Sequence, residues 1–502
     1  MQVTEPPAPQ FIARPNNRLA LIMLATTAVY ALITHELLWS SDFGLNLSLT
    51  VILFLASLCI TVKLGVVQLR GGGRWMALPI AIFAIFYVIR DSQNLRIYNV
   101  LAILIAFGVM GLRTQQGQVR VASVVSYIAG MFSTGVEMLL GAFPLLTNEI
   151  DWRLIALWRP WQIWRRVAVG VLITLPLLLV FGGLFAAADA GFARILRQIF
   201  NLNLAELIGR IVLVITIMWL AIGLLSAMVL PIFHHIGKSA MPAMFKLGLV
   251  EFGLPLSALT LLFAAFVALQ LTYLFGGESM VSVASGLTYA DYARRGFFEL
   301  VAVAVLLLIV LLLADWLIDK SDARVLRFFR IIASVLIALM GIVMVSAFQR
   351  MWLYTQIYGL SELRIYPTAF MIWIAMTFLW FAFTILRGRT QRFVFGAMLA
   401  GFVTLLGLNL VNPDALIVRF NAQRAGGLVA LAPRASRSFD SEYVMQLSAD
   451  AVPALIEVMP TLSAQDQAQV RNYLLNTNYR LTNWRSFHFG RWWANQAISE
   501  MP

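Results

Sequence analysis

Long apolar stretches recur along the chain, separated by short polar segments whose arginines gather on alternate sides. A bilayer core of ~30 Å takes ~20 helical residues to cross. Eleven stretches approach that length: Leu19–Leu38, Leu47–Leu69, Trp75–Ile89, Ile97–Leu112, Val167–Ala187, Ile211–Leu230, Val250–Leu274, Phe297–Ile318, Phe328–Phe348, Pro367–Leu386 and Phe393–Val411. Each is expected to be helical, because hydrocarbon offers no partner to an open backbone donor or acceptor. The third and fourth are short and need local thinning, or interfacial Trp75 and Tyr98, to seat them. Val121–Leu146 is long enough but carries Ser123, Ser126, Ser133, Thr134 and Glu137. A span, a re-entrant segment and an interfacial amphipathic helix all stay open for it.

The expected fold class is therefore all-α: a polytopic transmembrane helix bundle of about eleven spans, with ten to twelve open, and a small helical C-terminal extramembrane domain. Residues 1–18, with Pro6, Pro7 and Pro9, read as a disordered cytoplasmic arm, 19–411 as the transmembrane domain and 412–502 as an extracytoplasmic tail domain. The first run lacks a small-residue cleavage site and reads as an uncleaved signal anchor. In the tail, helices are expected near Asp414–Arg424, Ser441–Met459 and Ser463–Leu481, with Pro453 dividing or kinking the second. Asn412-Pro413-Asp414 reads as an N-cap, a first-turn proline and an acid suited to the helix dipole. Ser463 to Asp466 resembles a capping box with Asp in place of Glu.

Orientation follows from charge, since Lys and Arg concentrate in cytoplasmic loops. With the N-terminus inside and Val121–Leu146 left out, the inside segments hold 20 of the 37 basic residues and the outside loops nine, the other eight lying in the tail. The topology that results places the N-terminus in the cytoplasm and the C-terminus outside the cell membrane.

Composition fits this picture: 61% of the 502 residues are hydrophobic and 12% charged, where soluble domains average about 25% charged. The net charge of +13 is dispersed among membrane loops instead of forming one basic face, which excludes a direct nucleic-acid role and points to anionic lipid headgroups. The lone Cys59 sits in an apolar run and reads as a packing residue. His234 and His235 diverge by about 100° on a helix with no third ligand at zinc spacing. Gly237-Lys238-Ser239 lacks the leading glycine of a phosphate loop, and Gly71-Gly72-Gly73 lacks the strand of a dinucleotide fold. No metal or cofactor is implied, and no catalytic residue stands out.

Ionisable groups inside spans are costly and are default candidates for function. Glu251 and Asp315 are the intramembrane candidates, each near the inner end of its span. The most concentrated polar segment is extracytoplasmic and runs from Tyr289 to Glu299. There Asp291, Arg295 and Glu299 would form one ladder at helical spacing, flanked by Tyr292 and Arg294. A structural cap joining two helices and a polar pocket facing outward both remain open for it. A second segment runs from Gln349 to Arg364 and carries Arg350, Tyr354 and Arg364. The tail ends in Trp484, Phe487, Phe489, Trp492 and Trp493, interleaved with Arg485 and Arg491, which suits either packing within the tail or an interfacial anchor.

Several of these segments carry a family resemblance: Phe185 to Asp189, Gln270 with Tyr273-Leu274-Phe275-Gly276-Gly277, Tyr289 to Leu300, Tyr358-Gly359-Leu360 with Leu363-Arg364, Asn412 to Ala415, Leu447 to Leu455 and Asn483 to Ser486. In that order they resemble a bacterial family of multi-pass membrane proteins, domain of unknown function 4173, over roughly Val167 to Ser486. The resemblance implies the bacterial inner membrane and supplies no catalytic residue.

Three function classes follow. The first is a non-enzymatic sensor, regulator or envelope-assembly component with a membrane or envelope protein partner. The second is a secondary transporter, which calls for a polar path connecting residues such as Glu251, Gln270 and Glu299. The third is a membrane enzyme acting on a lipid-linked substrate, with Asp189, Asp291 and Glu299 as its carboxylates. The sequence leaves oligomeric state and ligand open.

Overall fold

The computed structural model describes residues 17–67, 73–111, 124–150, 204–230, 248–275, 297–318, 321–426, 438–477, 479 and 483–501, with scattered positions between 170 and 191. The helices in chain order are α1 (Asn17–Leu38), α2 (Leu45–Leu64), α3 (Ala77–Ile89), α4 (Gln93–Met110), α5 (Val124–Leu140), α6 (Leu204–Val229), α7 (Leu249–Phe275), α8 (Phe297–Leu317), α9 (Ala323–Tyr358), α10 (Glu362–Thr384) and α11 (Phe393–Val411). The tail adds α12 (Pro413–Ala425), α13 (Ser441–Met445), α14 (Val452–Val458), α15 (Ala464–Asn476) and α16 (Phe489–Ser499).

Nine helices among the described residues are long and apolar enough to cross a membrane, or ten if one bent pair counts as a span. The protein is a polytopic helical membrane protein. The third expected span is the short one: α3 has 13 residues and is preceded by a 3-10 turn at Gly73–Met76. Within the Val121–Leu146 candidate the described residues are helical from Val124, but the helix breaks, with Tyr127–Leu140 and Ala142–Glu149 at 52° to each other. The Val167–Ala187 candidate lies largely outside the described residues. Helix α9 has 36 residues and spans ~54 Å, so it projects beyond a ~30 Å hydrocarbon core.

Lipid exposure explains the apolar surface. Only 28% of the apolar window of α8 is buried, and Leu261 in α7 is 73% exposed. Such a surface in water would forfeit ~25 cal/mol per Å² of apolar area.

Two compact units divide the chain, one of Met1–Ser41, Ile52–Leu69 and Phe132–His234, the other of Asp42–Val51, Arg70–Met131 and His235–Pro502. In the first, α1 packs along α6. Gly141 and Gly223 allow backbones to approach, and Trp219 donates its indole N–H to the Leu139 carbonyl at 2.8 Å. Small residues at such contacts are the usual means of close helix packing in lipid.

In the second unit, α9 is the central pillar, flanked by α7, α8 and α10. Its buried stripe, Phe329, Ala333, Leu336, Met340, Val343 and Ala347, recurs every three or four residues, as one helix face requires. Antiparallel α3 and α4 pack together, and α11 lies on α10 and α4. The tail builds its own core from Ile417, Val418, Val444, Leu455, Val470, Leu474 and Ala494, against which Leu360 of the α9–α10 turn and Ile365 of α10 also pack.

Tail helices start where capping chemistry allows. Asn412 accepts the Ala415 N–H with Pro413 in the first turn, and Ser463 accepts the Asp466 N–H at 3.2 Å. The expected Ser441–Met459 helix differs from observation. It splits into α13 and α14 around a 3-10 turn, and the break falls at Gln446–Ser448, ahead of Pro453. Pro453 lies in the first turn of α14, where a missing N–H costs nothing.

Candidate functional site

The sequence-derived candidates scatter. Tyr289, Asp291, Tyr292, Arg294 and Arg295 lie outside the described residues, as does the side chain of Tyr273. Glu251 and Glu299 are exposed in the first turns of α7 and α8, a favourable place for an acid at a helix N-terminus. Asp315 is buried near the end of α8, and Asp189 is exposed. Gln270 and Arg350 do meet: the buried Gln270 Oε1 accepts from Ser346 Oγ at 2.8 Å and from Arg350 Nη2 at 2.9 Å, tying α7 to α9. Arg364 donates to the Tyr358 and Gly359 carbonyls and lies 4.3 Å over the Tyr354 ring. It thereby closes the α9–α10 turn.

A denser polar site lies elsewhere in the second unit, where the tail meets the ends of the helices. Short loops bring it together. Between α3 and α4, the Asp91 and Ser92 N–H groups both donate to Asp450 Oδ2, at 2.7 and 3.1 Å. Asn412 Nδ2 donates to the Asp450 carbonyl at 3.1 Å. Arg90 donates through Nε to the Asn409 carbonyl at 2.7 Å, capping the end of α11. Asp91 receives two cations on Oδ1, Arg491 Nε of α16 at 2.8 Å and Arg96 Nη1 of α4 at 3.7 Å.

Further contacts tie the same loops together. Asn94 donates to Glu362 Oε1 at 2.9 Å, and the Glu362 N–H donates to the Tyr443 hydroxyl at 3.0 Å. His488 donates a ring N–H to the Phe43 carbonyl at 3.0 Å, and the Leu45 N–H reaches the Phe487 carbonyl at 3.0 Å. The α9–α10 turn is held by one amide, with the Leu360 N–H to Asn421 Oδ1 at 2.7 Å and Asn421 Nδ2 to the Leu360 carbonyl at 2.9 Å.

Two carboxyls in this junction are almost wholly buried. Burial pushes Asp414 up to about 6, opposed by the hydrogen bond from the Ser448 hydroxyl at 2.5 Å. Burial pushes Asp450 up to about 7, opposed by Arg90 and the Ser92 and Asp91 N–H groups. Burial likewise lowers Arg90, and lowers His488 from its usual value. A cavity of about 710 Å³ opens beside these groups, with Asp91, Arg96, Glu362, Asp414, Ser448 and Arg491 in its wall. Among the described residues, no group of three or more His, Cys, Asp or Glu is placed to hold a metal ion.

The family described as Domain of unknown function (DUF4153) matches residues 77–458. The chain belongs to this family. The match corrects the resemblance drawn from the sequence: the family is DUF4153, not domain of unknown function 4173. The motifs behind that resemblance were short, and short loop motifs common in membrane helix ends do not separate one such family from another. The DUF4153 match covers α3 through α14 and so includes Asp91, Glu362, Asp414 and Asp450. No curated protein and no solved structure matches the chain.

Sequence reasoning passed over most of this site. In the sequence Asp414 reads as an acid suited to the helix dipole, and no local pattern joins Asp91, Arg96, Glu362, Asp450 and Arg491 as a set. The available signal was scarcity: only 24 acids occur in the chain, and two of them follow Asn-Pro and Ser-Ala at helix starts.

Proposed function

We propose that this DUF4153 protein is a non-enzymatic component of the bacterial inner membrane, a sensor, regulator or envelope-assembly factor. Its working surface is the extracytoplasmic junction of tail and span ends. The observation that carries this reading is the Asp450 clamp, in which one buried carboxyl holds the turn between two membrane helices. A tail fixed in this way moves with the spans, as a relay from an outside ligand or partner requires.

The topology is the cytoplasmic N-terminus and outside C-terminus read from the charge pattern. Contact between Asn94 and Glu362 supports leaving 121–146 out of the count. Residues on one face must be separated by an even number of crossings. The eleven-span count supplies six between them: α4, the 167–187 candidate, α6, α7, α8 and α9. Adding 121–146 as a full crossing would make seven and would part the two residues.

The transporter reading draws less support. Gln270 is used in joining helices, and Glu251 lies 19 residues away along α7, or ~28 Å.

Photo-crosslinking in living cells tests the proposal. A crosslinker at Gln446, on the cavity rim, is expected to trap a discrete partner in the wild type and to lose it when Asp450→Ala loosens the tail. Adducts that are diffuse in both, or that persist unchanged in the variant, would sink the reading.

A further inference from the structure

The lining of the junction cavity holds two polar clusters of opposite character and an apolar wall. In one, Arg96 and Arg491 converge on the single carboxylate of Asp91, which leaves one positive charge over. The other holds Glu362, whose side chain is met by the neutral amide of Asn94, and Asp414. The Asp414 side chain is almost fully buried, and its Oδ1 has no hydrogen-bond partner among the described residues. A buried acceptor left open costs ~1–3 kcal/mol, so this oxygen is a place where a donor would be bound. The apolar wall is Ile97, Val100 and Leu101 of α4, residues at helical spacing on one face. Ile97 and Leu101 are 48% and 49% exposed on a membrane helix, so this wall continues into lipid.

We propose that the cavity binds a zwitterionic phosphoethanolamine group, carried by an aminophospholipid of the surrounding bilayer. The phosphate lies against Arg96 and Arg491, since guanidinium forks match phosphate oxygens. The primary ammonium lies against Glu362 and Asp414, and one of its three N–H groups satisfies Asp414 Oδ1. The acyl chains leave along Ile97 and Leu101. A lipid source is favoured over a soluble one because the apolar wall would otherwise face an uncharged, empty flank. A choline headgroup has no N–H and would leave the buried oxygen unpaired, and unpaired polar groups discriminate strongly. A glycerol headgroup lacks the ammonium charge. The proposal rests on the junction being the working surface, but its test uses purified protein and needs no partner.

The full-length protein in detergent is titrated with dioleoyl phosphatidylethanolamine, phosphatidylcholine or phosphatidylglycerol, and retained lipid is read by native mass spectrometry. The ethanolamine lipid is expected to be retained about tenfold over either other lipid, the worth of one charge-assisted hydrogen bond. Glu362→Gln, which keeps the Asn94 contact and the fold, is expected to bring the three toward parity, as is Asp414→Asn. A double Arg96→Gln, Arg491→Gln variant is expected to weaken all three. Equal retention of the ethanolamine and choline lipids by the wild type, or a preference unchanged in Glu362→Gln, would overturn the proposal. Displacement of the lipid by equimolar soluble O-phosphoethanolamine would overturn the assignment to a lipid.

Discussion

Asp450 shows how one residue can set the position of a whole tail. Its carboxyl accepts two backbone N–H groups that the α3–α4 turn cannot satisfy itself. Asp450→Ala is expected to leave both open and to cost about 2 kcal/mol of tail attachment, whereas Asp450→Asn, which keeps one acceptor, costs less. Hydrogen exchange at Asp91 and Ser92 checks this: protection should fall steeply in the alanine variant, and unchanged protection refutes the clamp. Gly490 serves the same contact by absence. A Cβ there would run into Asp450 Oδ1 and sit 3.2 Å from Asp91 Cβ. Gly490→Ala is therefore expected to loosen α16 by about 1–3 kcal/mol, seen as faster proteolysis of the C-terminus. Gly359, at φ 79°, holds a backbone conformation that side chains rarely adopt, which lets the turn reach Asn421.

At the scale of elements, polar pairs join helices that lipid by itself would not drive together. Asn99 of α4 and Asn409 of α11 exchange amide hydrogen bonds at 2.8 and 3.0 Å, both fully buried. Replacing one by Leu strands the other and is expected to cost about 1 kcal/mol. The double variant is expected to cost less than the two single ones summed. A double-mutant cycle on detergent-resistant thermal unfolding reads the coupling, and strict additivity would exclude it. Pairs of this kind were hidden in the sequence, where Asn99 and Asn409 stand 310 positions apart in otherwise apolar runs.

The whole molecule couples its tail to pH. For Asp414 and Asp450, raised to about 6 and about 7 from 3.8, the protonated form favours the fold. Their contribution is complete below the unfolded value and is lost as pH rises through the folded ones. His488 works the other way: burial lowers it from 6.5, so its contribution is lost as pH falls below that. Arg90, Asp91, Arg96, Glu362 and Arg491 are the charged groups that face these three. Between pH 6.5 and 8 the carboxyls' part falls by about 1 kcal/mol, His488 offsets less than half of that, and tail stability is expected to fall by roughly 0.5 kcal/mol. Thermal unfolding across that range tests it; Asp450→Asn should flatten the slope, and a wild-type slope of the opposite sign would reject it.

The apolar runs by themselves determined that this is a helical membrane protein, because hydrocarbon admits no other spanning form for such lengths. Capping residues fixed where α12 and α15 begin, since an N-cap acts on its own turn. Contacts between distant segments were beyond local patterning. The α3 turn, the α10 start and the tail share no sequence period, and only packing brings Asp91, Glu362, Asp414 and Asp450 to one place. Asp414 makes the difference plain: beside Asn412 and Pro413 it suits any exposed first turn. Burial under Ser448, decided by the tertiary structure, turns it into a titratable group with an open oxygen.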